Sequence, residues 1–150
     1  MQFKLLPFLS FLTILFMVGY LYLNPSYEKS LEAKYYYETG EYQEALALAN
    51  EAFSLDVYNR MAATIIAQSK VSLKYVQYIK DAKNYLAQID EISKHEYLSD
   101  ADRSKIRLIS QIMIDSYKKL APSSVTDASL VEQASKYYLQ FEKLLEKVNP

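Results

Sequence analysis

The chain contains no cysteine and no tryptophan, one histidine, two glycines and four prolines in 150 residues. Without cysteine there are no disulfides, no thiolate metal ligands and no lipid-modified cysteine at the amino terminus. Two glycines, Gly19 and Gly40, cannot build a glycine-rich phosphate loop. The lone histidine, His95 in Ser93-Lys94-His95-Glu96-Tyr97, sits at an expected helix end. One imidazole without companion ligands reads as a surface group or a helix-end cation. No clustered carboxylates with metal-ligand spacing and no nucleophile–base–orienter set are present. Serine–lysine pairs such as Ser30/Lys34 would need burial that an amphipathic surface does not give. The sequence therefore predicts no enzyme, no cofactor and no metal. Charge is also balanced: 17 basic against 18 acidic residues give a net charge of −1. Adjacent tyrosines at Tyr35-Tyr36-Tyr37 and Tyr137-Tyr138 lack the basic groove that nucleic-acid binding requires, so core packing is their better account.

What is present begins at the amino terminus. From Leu5 to Leu23 the chain reads LLPFLSFLTILFMVGYLYL without a charge. As a helix these residues would span ~28 Å, about the hydrocarbon thickness of a bilayer. Pro7 falls in the first turn, where its missing N–H costs little. Ser10 and Thr13 can return their hydroxyls to the helix backbone. Tyr20, Tyr22 and Tyr27 cluster at the far end, where an aromatic belt would lie. No Ala-x-Ala cleavage pattern occurs nearby, and a cut after Gly19 would place Met17 at the other key position. The expectation is an uncleaved transmembrane signal anchor over residues 1–24, with a cleaved signal as the alternative. Basic residues flank the segment almost evenly, Lys4 on one side and Lys29 and Lys34 on the other, and the short leader favours an amino terminus inside and the rest of the chain outside the cytoplasm, which in a bacterium is the periplasm.

Residues 25–150 read as helices throughout, and no useful strand alternation appears. Asn24-Pro25-Ser26 opens the first, with proline where no N–H is needed. Ala33 and Tyr36 recur at helical spacing up to Thr39-Gly40, and Tyr42, Ala45, Ala49 and Ala52 follow. Glycine takes the left-handed conformation that ends a helix, so Thr39-Gly40 is the expected hinge of a helical hairpin, with the alanines allowing close approach. A third helix is expected through Met61, Ala62, Ile65, Ile66, Ser69 and Leu73, and a fourth through Ile79, Ala82, Tyr85, Leu86, Ile89 and Ile92. Ser99-Asp-Ala-Asp102 resembles a capping box. It opens a fifth carrying Ile106, Ile109, Met113, Tyr117 and Leu120, stopped at Ala121-Pro122. Ser123 to Asp127 is a loop. Leu130, Ala134, Tyr137, Phe141, Leu144 and Val148 then alternate four- and three-residue steps, the seam of a helix packed along its whole length.

The stretch from Ser26 to Asn59 resembles a tetratricopeptide repeat, a unit of roughly 34 residues made of two antiparallel helices. The likeness rests on Gly40, Tyr42 and the alanines at 33, 45, 49 and 52. It departs at Lys29 and Glu32, where large apolar residues are usual, and at Val57, where proline is usual. The resemblance implies an all-α architecture: a membrane helix, then a short tetratricopeptide-like solenoid of about three helical hairpins. In that family the first helix of each pair lines a concave groove. The matching positions are Tyr27, Ser30, Lys34, Tyr37 and Glu38, then Met61, Thr64, Gln68, Val71 and Ser72. Only Lys34 could grip a carboxylate tail, so an extended or helical segment held by Tyr37, Met61 and Val71 is the expected occupant; ordinary solvated surface is the alternative for these positions.

Three roles remain open. One is a membrane-anchored scaffold binding a protein partner, itself membrane-associated, in envelope or translocon-associated assembly. Another is a structural subunit of a membrane complex, held through the anchor and the terminal helix. The third is a soluble repeat protein released by cleavage. The free edge of a short solenoid also invites self-association.

Overall fold

The computed structural model describes residues 5–94, 97–123 and 126–149, side chains excepted at positions 5, 21 and 22. Lys4 and His95, and with them the readings made of each, lie outside that range. Six α-helices form, and no strand occurs among the described residues: α1 (Leu5–Leu23), α2 (Pro25–Glu38), α3 (Tyr42–Leu55), α4 (Arg60–Ser93), α5 (Asp100–Lys118) and α6 (Ala128–Val148). The all-α expectation holds. The chain divides into two compact units, Met1–Lys70 and Val71–Pro150, and α4 contributes to both.

Helix α1 is uncharged, and its side chains from Leu6 to Val18, Tyr20 and Leu23 are exposed. Ser10 Oγ donates to the Leu6 carbonyl at 3.0 Å and Thr13 Oγ1 to that of Ser10 at 2.8 Å, so both hydroxyls are satisfied by the helix itself. Among the described residues no single helix is long and apolar enough to cross a membrane. Leu6–Tyr20 and Pro25–Glu38 meet the length and composition only together, and they are bent by 82°.

In the first unit, Asn24 caps α2 by accepting the Ser26 N–H, and Pro25 occupies the first helical position. The helix ends at Gly40, whose φ of 86° makes it the one positive-φ residue among those described. There the Gly40 N–H reaches the Tyr37 carbonyl and the Glu41 N–H that of Tyr36, the paired bonds of a Schellman turn. The chain reverses and α3 packs on α2. Ala33, Ala45, Ala49 and Ala52 are fully buried, so the two backbones approach without intervening bulk. Ile65 of α4 joins Ala33, Ala45 and Ala49 in one core, against which Tyr36, Tyr37, Leu48, Met61 and Ile66 pack.

The second unit is built from the latter part of α4 with α5 and α6. Ser99 and Asp102 form the expected capping box at the start of α5, and Asp127 caps α6. Ala134, Phe141 and Val148 are buried, while Leu130, Tyr137 and Leu144 pack against the same core, so the seam predicted for the last helix is present. Side chains of this size stabilise by ~1.5–3 kcal/mol each when fully removed from water. The core also holds an aromatic run: Tyr78 lies 5.7 Å from Tyr117 between ring centres, and Tyr117 stacks on Tyr138 at 4.5 Å.

One expected boundary is absent. The separate third and fourth helices are a single helix, α4, of 34 residues. No glycine or proline interrupts Lys74-Tyr75-Val76-Gln77-Tyr78. Buried positions continue through Ala62, Ile65, Ser69, Ser72, Tyr75, Ile79 and Ala82 at three- and four-residue steps. An unbroken stripe with no breaker has no reason to turn. After α1 the chain thus forms two hairpins, α2/α3 and α5/α6, and one long helix, instead of three hairpins.

Candidate partner-binding face

The positions expected to line a groove do not share one environment. Lys34 and Glu38 are exposed on α2 and form an i,i+4 ion pair at 3.6 Å. An exposed pair of this kind contributes little to stability but sets a mixed-charge rim. Tyr27 and Tyr37 are half-buried, and the Tyr37 ring meets Tyr42 edge-on at 5.4 Å. Met61 and Gln68 are half-buried on α4; Thr64 is exposed and returns its hydroxyl to the Arg60 carbonyl at 2.7 Å. Tyr37 and Met61 both border the core shared by α2, α3 and the start of α4.

Three residues depart from the expected face. Ser30 and Ser72 are fully buried, and Val71 and Ser72 belong to the second unit, where Val71 packs against that unit's core. The reason for Ser30 is a polar clasp that sequence reasoning missed. Asn59 is also fully buried, and its side-chain amide donates to Ser30 Oγ at 2.9 Å and Ser26 Oγ at 2.8 Å. The Ser26 carbonyl lies 3.2 Å from the same nitrogen. Ser26 Oγ in turn donates to the Ala52 carbonyl and Ser30 Oγ to the Ser26 carbonyl, each at 2.8 Å. Both hydroxyl protons are therefore committed to carbonyls, which leaves both hydroxyl oxygens to accept from Asn59. The Asn59 side-chain oxygen accepts the Ala62 N–H at 3.1 Å and caps α4. Asn59 thus ties the start of α2 to the start of α4, and Ser26 extends the link to the end of α3, with every polar atom of the three side chains answered. Outside it, Lys29 reaches Glu51 at 2.6 Å; that hydrogen bond and the Glu51 charge hold the Lys29 pKa above its ordinary value.

The second unit carries two shallow surface depressions. One is lined by Val76, Ile79, Leu130 and Gln133 with Lys80 and Lys83. The other lies beside Arg103, Ser104 and Arg107, where Arg107 donates to the Val148 carbonyl at 3.2 Å. Among the described residues, no group of three or more His, Cys, Asp or Glu side chains is placed to hold a metal ion. The hydroxyls of Ser69, Tyr78 and Ser110 are buried without a hydrogen-bond partner among the described residues. Burial, with the nearby Tyr117 and Tyr138 as smaller influences, pushes the Tyr78 phenol well above its ordinary pKa. An unionised phenol in such a place is packing, with no proton to exchange at neutral pH.

Comparison of the chain with protein-family models, with curated proteins and with solved structures returns no match.

Proposed function

We propose that this protein is a membrane-anchored helical adaptor: α1 holds it in a bilayer, and the first unit presents a tetratricopeptide-like hairpin to a membrane-associated protein partner. The observation that carries the reading is α1 itself. It is an uncharged helix of 19 residues from Leu5 to Leu23, and its side chains from Leu6 to Val18 are exposed rather than packed into a core. A helix apolar on every side has no favourable place in water, and although α1 alone falls short of a full span, its apolar stretch approaches the ~20 residues that match the hydrocarbon layer. The 82° bend between α1 and α2 would then mark the exit from the bilayer. The bulk of the chain lies outside the cytoplasm, in the periplasm if the source is bacterial. The binding face is Tyr27, Lys34, Tyr37 and Glu38 of α2 with Met61, Thr64 and Gln68 of α4, and the resemblance supplies its role. Tethering raises the effective concentration of a co-resident partner, so a weak face suffices.

A second reading, a structural subunit of a membrane complex, draws support from the second unit. There Leu108 and Ile112, one helical turn apart on α5, and Leu139 on α6 are exposed. The test is affinity purification from detergent-solubilised membranes, comparing wild type, Lys34→Glu/Tyr37→Ala and Leu108→Glu/Ile112→Glu. A partner lost only from the first variant establishes the adaptor. Loss only from the second variant moves the interaction to the second unit, and the face on α2 is dropped. The mass of the mature chain reports cleavage and decides against the anchor if residues before Leu23 are missing.

A further inference from the structure

In the second unit the depression between α4 and the start of α6 combines apolar walls with unmatched positive charge. Ile79 belongs to the core, Leu130 is half-buried against it, and Val76 beside them is 38 % exposed. Lys80 and Lys83 on α4 and Gln133 on α6 complete the lining, and all three are exposed. Side chains three residues apart on a helix are neighbours at about 5–6 Å, where like charges cost stability.

Nothing on either helix offsets this pair. One turn away from Lys80 stand Val76, Gln77 and Asn84, and one turn away from Lys83 stand Ile79, Leu86 and Ala87. Asp81, the nearest carboxylate in sequence, accepts a hydrogen bond from Gln77 Nε2 at 2.8 Å. On the α6 wall, Glu132 pairs with Lys136 of its own helix at 2.7 Å. Lys34, Lys94, Lys118 and Lys136, in contrast, each reach a carboxylate three or four residues away.

An apolar strip beside two unmatched lysines is complementary to an apolar side chain flanked by carboxylates. The shallowness of the depression decides which kind of molecule carries them. Small-molecule sites enclose most of their ligand, and a short amphiphile here would keep much of its surface in water. A peptide needs only one anchoring side chain in the groove, with its other contacts spread outside.

We propose that the α4/α6 groove docks an acidic peptide segment of a partner protein. One large apolar side chain rests against Val76, Ile79 and Leu130, flanking carboxylates pair with Lys80 and Lys83, and the Gln133 amide meets the segment's backbone. The groove lies wholly within the second unit, so the proposal stands whether or not α1 enters a bilayer.

The probe is a phage-displayed library of random dodecapeptides, panned on the full chain in neutral detergent micelles. Selected peptides are then titrated by fluorescence anisotropy at about 0.15 M salt, where charges more than ~8 Å apart are largely screened. Enriched peptides should carry a leucine, isoleucine or phenylalanine beside glutamate or aspartate, and affinity should fall as salt rises. Lys80→Glu/Lys83→Glu should weaken binding about tenfold and should prefer the same peptides with lysine in place of their acids. Lys143→Glu/Lys147→Glu makes the same charge change at exposed α6 positions, ~15–20 Å along the helix from Gln133, and should have little effect. The inference falls if no acidic–apolar motif is enriched, if both double variants weaken binding equally, or if the preference does not switch. Dodecanoate bound at the two lysines with no peptide enriched would give the groove to a small amphiphile. Self-association abolished by the reversal at 80 and 83 would give it to a second copy of the chain; either result overturns the peptide.

Discussion

Replacing Asn59 by alanine should open the first unit far more readily than its size suggests. The substitution removes two well-made hydrogen bonds, to Ser26 Oγ at 2.8 Å and Ser30 Oγ at 2.9 Å, and the cap on the Ala62 N–H at 3.1 Å. Each buried bond is worth about 1 kcal/mol net, and loss of an asparagine cap costs about 1 kcal/mol. The side chain is fully buried, so water cannot readily replace it. A total of roughly 2–3 kcal/mol corresponds to a fall in protection of about 30- to 150-fold. Amide hydrogen exchange by mass spectrometry on the full chain in detergent micelles reads this unit by unit. Peptides within residues 26–38 and 42–55 should lose that protection, with peptides from α5 and α6 as the internal reference. Asn59→Asp separates the two contributions, because a carboxylate keeps the cap but cannot donate to the serines. An exposed asparagine whose amide bonds only its own helix, Asn50, is the control, and its alanine variant should change little. Protection in Asn59→Ala within threefold of wild type, or equal loss in the control, would refute the clasp.

Two further substitutions probe backbone and core. Gly40→Ala should lower the thermal midpoint of the first unit at a cost of about 1 kcal/mol, with Gly40→Asn recovering part of it. The space around Gly40 is empty, so φ alone is responsible, and an unchanged midpoint would contradict the left-handed turn. Tyr78→Phe should leave stability at neutral pH unchanged or slightly higher, since the hydroxyl it removes is buried without a partner among the described residues. It should also flatten the alkaline limb of the stability curve. Below the ordinary tyrosine value of 10.0, both folded and unfolded states keep the proton. Above it the unfolded chain ionises while the folded phenol, held higher, does not, so stability falls as pH rises. Denaturant titrations at pH 8 and above 10 measure the difference, and parallel curves for the two proteins would count against the burial account.

Local chemistry was legible where it is self-contained. Gly40 ends a helix because only its backbone tolerates the turn, and Ser99 with Asp102 closes a cap within four residues. The six-residue seam of α6 needs nothing but its own spacing. What failed depended on partners distant in sequence. Ser30 looks like surface because serine is polar, and its buried acceptor role exists only through Asn59, 29 residues on. A signal was available: Asn59 stands two residues before the apolar-periodic run that begins at Met61, the position of an N-cap. The break expected between Leu73 and Ile79 divided two apolar stripes across a stretch with no residue able to stop a helix. Val71 was assigned to the groove by the 34-residue repeat period, and the continuous α4 carries it into the second unit.

The stacked pair in the second unit gives the protein a built-in optical signature. Tyr117 on α5 and Tyr138 on α6 lie with ring centres 4.5 Å apart and planes 24° from parallel, close enough for their transitions to couple. With 15 tyrosines and no tryptophan, the near-ultraviolet circular dichroism has no indole bands to mask that coupling. The signal belongs to the docked hairpin and not to either helix alone. Its disappearance while far-ultraviolet ellipticity persists would reveal α5 and α6 separating as intact helices, an event that helix content by itself does not register.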